Sequence, residues 1–135
     1  MRAGERAAIS AARNGSRMAL VHERSMPGGN SASEVRLYPE DSTHYNIWCK
    51  EMGILDEIHV EERARNFEPC AEGQTNCPWD VVLYEWVVRE KNITMFLNTT
   101  MRAVEMKDPE HILAIHAAQL GTEREFVFEA LSARM

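Results

Sequence analysis

The spacing of apolar residues changes several times along the chain, and each change marks an element. Within residues 3–13, Ala7, Ala8, Ala11 and Ala12 fall close together on one helical face. This predicts a first helix with a small-residue face that can lie tightly on a sheet. The turn Asn14-Gly15-Ser16 follows, and the brief apolar run around Ala19, Leu20 and Val21 predicts a strand over 18–21. Residues 24–33 hold the breaker Pro27-Gly28-Gly29-Asn30, which predicts a loop needing positive φ at Gly28 or Gly29. Residues 41–67 are helical in tendency, with a break at Gly53 and an apolar set of Ile47, Met52, Leu55 and Ile58. The charged run 56–65 is expected to be a solvated helix face, and 69–78 a loop.

Pro78 opens the clearest helix. Proline is tolerated in a first turn, and Asp80 suits the positive end of the dipole. Trp79, Val82, Leu83, Trp86 and Val87 fall at i, i+3, i+4, i+7 and i+8, one buried stripe. Residues 93–97 form a nearly continuous apolar run, expected to be a strand covered on both faces and parallel to the first. Alternation over 101–106, a turn at 107–110, a strand at 111–120, a turn at Gly121-Thr122 and alternation over 125–130 predict a three-stranded antiparallel meander.

Composition narrows the class. The chain has 135 residues, 44% hydrophobic and 27% charged, and no apolar run approaches the roughly 20 residues that span a bilayer. No membrane partner is expected. Net charge is −6, with residues 1–24 carrying five arginines against two glutamates. The acidic remainder argues against nucleic acid. No secretory h-region is present, so a cytoplasmic location is expected. The basic start suits a mitochondrial presequence poorly, because Glu5, Glu23 and the Asn14-Gly15 turn interrupt it. Cys49, Cys70 and Cys77 match no zinc template or CxxC pair, so reduced structural thiols are expected, a Cys70–Cys77 disulfide being the alternative. His44 and His59 have no partner at metal-ligand spacing, and no metal is expected. His111 and His116 are expected to decorate the meander.

The candidate chemistry lies near the start. Gly4 stands at the head of the first helix and Glu23 lies 19 residues on, at the end of the first strand. In a dinucleotide-binding βαβ unit an acid about 20 residues after the phosphate loop accepts hydrogen bonds from ribose hydroxyls. Glycines lacking Cβ let backbone N–H groups approach a pyrophosphate at a helix amino end.

The segments AGERAAISAARNGSRMALVHER, PGGNSASEVRL and CPWDVVLYEWVVREKNITMFLNT resemble the FAD-dependent oxidoreductases of the glutathione-reductase-like Rossmann superfamily, within it a bacterial branch with a GGNSSSE-type turn after the second strand. The resemblance runs from about Ala3 to Ala130. It implies an α/β fold: a partial Rossmann-like FAD-binding domain with a C-terminal antiparallel meander. The whole chain is then one incomplete nucleotide-binding domain, with 1–100 as its α/β part and 101–130 as the meander. The implied cofactor is FAD. Gly4 would meet the pyrophosphate, Glu23 and Arg24 the adenosine ribose, and Gly28, Gly29, Asn30 and Ser31 the pyrophosphate and flavin side. Backbone near Met101 would meet adenine.

In the family a first strand and a full GxGxxG loop precede the helix, and an ATGDG-type strand follows the meander. Here the chain opens at Met1-Arg2-Ala3-Gly4 and closes at Met135. A piece of such an enzyme is therefore expected, one whose small-molecule substrate binds elsewhere, which binds FAD weakly or not at all, and which can self-associate through an unpaired sheet edge. The alternative is a non-catalytic relative that folds or oligomerises without FAD. An NAD-binding fragment would follow from the same Glu23 spacing, but the Gly28-Gly29-Asn30 turn and the meander favour FAD. Flavin enzymes draw their redox chemistry from the isoalloxazine ring. No catalytic residue is identified here, because no GxSxG, HExxH or Walker motif is present.

Overall fold

The computed structural model describes residues 3–39, 48, 52–66, 74–76 and 78–134. His44, Ile47 and the three cysteines lie outside these residues. By its internal contacts the chain divides into two units, Met1–Leu20 with Met26–Thr94 and Val21–Ser25 with Met95–Met135.

In the first unit, helix α1 (Ala3–Arg13) buries Glu5, Ala8, Ile9 and Ala12, spaced i, i+3, i+4 and i+7. The alanine face expected from sequence is corrected here: Ala7 is exposed and Ala11 half-buried. Ile9 carries far more apolar area than an alanine, so the helix turns to bury it, and Ile9 is 1% exposed. The helix ends in a Schellman turn, with Ser16 N–H donating to the Ala11 carbonyl and Gly15 N–H to that of Ala12, both at 3.0 Å. Gly15 takes φ 88°, as that cap requires.

Helix α2 (Ile54–Arg65) is entered through Gly53 at φ 83°, ψ −140°, and helix α3 (Trp79–Val88) through Pro78. The stripe predicted for α3 is observed, with Trp79, Val82, Leu83, Trp86 and Val87 all buried. On α2, Leu55 and Ile58 are buried, whereas Met52, two residues before the helix, is 84% exposed. The run 56–65 is only partly solvated, since His59 and Glu62 are buried. Glu62 Oε1 accepts from Asn76 Nδ2 at 2.6 Å, and His59 Nδ1 bonds Tyr38 Oη at 2.6 Å.

The three helices pack on one another, and ion pairs rim their contact. Arg13 at the end of α1 reaches Glu90 at 2.9 Å and Glu57 at 3.1 Å, with its guanidinium over the Trp86 ring. Between α2 and α3, Glu61 accepts from Trp86 Nε1 at 2.6 Å and from Arg89 at 2.6 and 2.8 Å. Arg65 bonds both Glu61 and Glu85.

Strands β1 (Met18–Val21) and β2 (Ile93–Phe96) form a two-stranded sheet. Met18 N–H donates to the Asn92 carbonyl and His22 N–H to that of Phe96, both at 2.8 Å. Both residue numbers rise together, so the pair is parallel, as predicted. The expectation that β2 is covered on both faces is corrected, because Thr94 is exposed and Ile93, Met95 and Phe96 are only half-buried. Two strands cover little of each other's surface, so neither face of the pair is closed by the sheet alone.

The second unit contains the meander of β3 (Thr99–Asp108), β4 (His111–Gln119) and β5 (Glu125–Arg134), in that order and antiparallel throughout. Three register shifts interrupt the β3–β4 pairing, which is why its side chains alternate imperfectly. Phe96, Phe126 and Phe128 cluster with ring centroids 4.9–6.0 Å apart. His111 closes the β3–β4 turn on Asp108 at 2.7 Å, and His116 lies 3.5 Å from Glu105.

Glu61 makes the helix contact acid-sensitive. Its hydrogen bonds from Arg89 and Trp86, with the charges of Arg89 and Arg65, outweigh partial burial and hold its carboxyl down at about 2, against an ordinary 4.5. A carboxyl depressed on folding stabilises above its unfolded value and loses that contribution as pH falls from 4.5 toward 2. With solvent screening allowed for, Glu61→Gln is expected to cost about 1 kcal/mol at pH 7 and nothing measurable near pH 2. Urea denaturation of both proteins across that range checks this, a pH-independent difference being the contrary result.

Candidate functional site

The glycine turn after β1 is built into the first unit from both sides. Its Pro27, Gly28 and Gly29 are buried, as are Ser31 and Ala32, while Asn30 is exposed. Gly28 takes φ 118°, in the region that favours glycine. A Cβ there would stand 2.7 Å from Leu83 Cδ1 of α3 and 3.3 Å from the nitrogen and Cβ of Ala32. Gly29 is also at positive φ, 61°. Residues 29–31 form one 3-10 turn.

A buried turn must pair its polar groups within the protein. Gly28 N–H donates to Glu5 Oε1 of α1 at 2.7 Å. Ser31 Oγ donates to the Gly28 carbonyl at 2.9 Å and accepts from Trp79 Nε1 of α3 at 3.0 Å. The Ser31 carbonyl accepts from Thr75 Oγ1 at 2.9 Å. Ser33 N–H meets both carboxylate oxygens of Asp80, at 3.0 and 3.1 Å. Further on, the Asn30 carbonyl accepts from Leu37 N–H, and the Thr75 carbonyl accepts from the Arg36 guanidinium at 2.8 Å. Trp79 is T-shaped to His59 at 5.3 Å, which in turn meets Tyr38 edge-on at 5.0 Å.

Of the residues predicted to form a cofactor site, Gly28, Gly29, Asn30 and Ser31 are thus brought together in one clamped turn, the Ser31 hydroxyl being used within it. Gly4, in the same unit, is exposed in the first turn of α1, and a Cβ there would meet nothing within 4 Å. The other three belong to the second unit. Glu23 is exposed, directly after His22, whose N–H is the last described donor of β1 to β2. Arg24 is half-buried and its carbonyl accepts from Asn98 N–H at 3.0 Å. Met101 is 56% exposed on β3 and opposes Ala117 of β4.

Sequence reasoning missed Glu5, Thr75 and the indole of Trp79 as parts of the turn, and assigned Asp80 only to its own helix dipole. One signal for Glu5 was present: an acid sharing a helical face with Ala8, Ile9 and Ala12. Among the described residues, no group of three or more His, Cys, Asp or Glu side chains could hold a metal ion, and no helix is long and apolar enough to cross a membrane.

A family model described as FAD dependent oxidoreductase matches residues 2–132. No match was found among curated proteins or among solved structures.

Gly28→Ala is expected to destabilise the first unit by about 2 kcal/mol or more, from the forced positive φ together with the contacts to Ala32 and Leu83. Adding Leu83→Ala should not restore stability, because the backbone strain remains. Thermal melts of the single and double variants measure this, and a Gly28→Ala melt equal to the parent's would be the contrary result.

Proposed function

The chain belongs to the FAD dependent oxidoreductase family, and from that premise we propose that it is the FAD-binding part of a flavin-dependent oxidoreductase of the glutathione-reductase-like, Rossmann type. The match over residues 2–132 carries this reading. Two local features support it: α1 leads directly into β1, and the connection from β1 to its parallel neighbour β2 carries α2 and α3. Helix-bearing crossovers between parallel strands are the unit of nucleotide-binding α/β folds.

The residues present suit a diphosphate. The first-turn N–H groups of a helix have no partner within it, and the dipole there favours negative charge. Gly4 adds no Cβ at that end, and the space beyond it is open. In the first unit, then, Gly4 with the amino end of α1 would take the diphosphate, and the backbone of Gly28 to Ser31 would lie along the cofactor. In the second unit, Glu23 would accept from ribose hydroxyls, with Arg24 and the backbone at Met101 on the adenosine side. Bound FAD supplies the hydride and electron chemistry. The protein's residues bind and orient it.

Titration of the purified chain with FAD, read by flavin fluorescence, is expected to give saturable binding weaker than about 1 μM. Glu23→Ala should weaken it by about 10- to 100-fold, the worth of one or more hydrogen bonds to a charged acceptor. No saturable signal at about millimolar FAD would oppose the reading and favour a non-catalytic relative that folds or associates without the cofactor.

A further inference from the structure

Glu5 is a costly choice of anchor for a turn. The residue is 3% exposed, its Oε1 accepts from Gly28 N–H at 2.7 Å, and its Oε2 is enclosed without a hydrogen-bond partner among the described residues. A neutral acceptor would pair the Gly28 amide without burying charge, and a carboxylate with one oxygen unpaired is poorly compensated. Its position gives a reason for it. Glu5 lies in the first turn of α1, where the positive end of the helix favours an acid, and its side chain links that end to the glycine turn. The bonds of Ser31 and Ser33, by contrast, tie the turn to Trp79 and Asp80 of α3 and to Thr75.

We propose that Glu5 is a positioning residue for the dinucleotide: by holding the Gly28 amide, its carboxylate sets the distance between the glycine turn and the amino end of α1, the two backbone surfaces that meet the diphosphate. This rests on the FAD reading above. Glu5 acts through Gly28 and does not itself touch the phosphates, whose charge it would repel.

The test uses the full chain with Glu5→Ala and Glu5→Gln, the amide oxygen of glutamine keeping an acceptor for Gly28. Hydrogen exchange without ligand is followed by mass spectrometry over residues 28–33, with α3 and the meander as internal controls. FAD and ADP affinities are measured in parallel, ADP carrying the diphosphate but no flavin. Glu5→Ala is expected to speed exchange at 28–33 by about tenfold with the controls unchanged, and to weaken FAD and ADP alike by about tenfold. Glu5→Gln is expected to restore both properties to within about threefold of the parent. Unchanged exchange or unchanged affinity in Glu5→Ala overturns the proposal, as does a loss for FAD but not for ADP. Failure of the parent chain to bind either ligand defeats the FAD reading itself and this proposal with it, whereas a binding parent with an unaffected Glu5→Ala defeats only the role of Glu5.

Discussion

The Gly28 amide is shut away from water, and the acceptor it finds is a carboxylate on a helix 23 residues earlier in the chain. That bond decides more than its own worth, because a turn cannot be buried unless each of its polar groups is paired. Once Gly28 is held on α1, the Ser31 hydroxyl lies where it can donate back to the Gly28 carbonyl and receive the Trp79 indole. Trp79, 1% exposed, can then be buried at the start of α3 without an orphaned N–H. Glycine at 28 follows from the same packing, since α3 approaches through Leu83 to a distance that leaves no room for a Cβ.

Around this buried turn, the helices of the first unit are held by two kinds of contact with different sensitivities. Apolar stripes on α1 and α3 bury Ile9, Val82, Leu83 and Val87, and that attraction is indifferent to pH. The Glu61, Arg65, Glu85 and Arg89 cluster is half in water and loses strength where its carboxyls protonate. The second unit is built differently. Its meander relies on ladder hydrogen bonds and an aromatic cluster around Phe96, and β3 is exposed along most of its length. Surface of that kind presents backbone and apolar side chains to whatever adjoins it.

The chain belongs to the FAD dependent oxidoreductase family. In a flavin enzyme the cofactor carries the redox chemistry, and the polypeptide supplies position and electrostatics. The glycine turn is held by groups that lie outside it: Glu5, Thr75, Trp79 and Asp80. The family is shown by similarity over residues 2–132, whereas the clamping of the turn is shown by its hydrogen bonds.

Much was legible from the residues alone, for reasons that are local. The period of 3.6 placed α1 and α3, short apolar runs placed β1 and β2, and alternation between turns placed the meander. The Asn14-Gly15 turn was visible because only a residue tolerant of positive φ closes a Schellman cap. Positive φ at Gly28 or Gly29 was expected from the Pro27-Gly28-Gly29-Asn30 breaker, and both residues adopt it. What the sequence left undecided depends on partners far along the chain: which face of α1 turns inward, that Thr94 is exposed, that Glu62 and His59 are buried on a charged helix, and that Asp80, in the first turn of its helix as expected, also takes the Ser33 amide. Periodicity records which residues share a face, but it carries no information about what that face meets. Only when α1 and α3 close on the turn from opposite sides does an acid at position 5 become the partner of an amide at position 28, because burial removes the water that would otherwise have satisfied both.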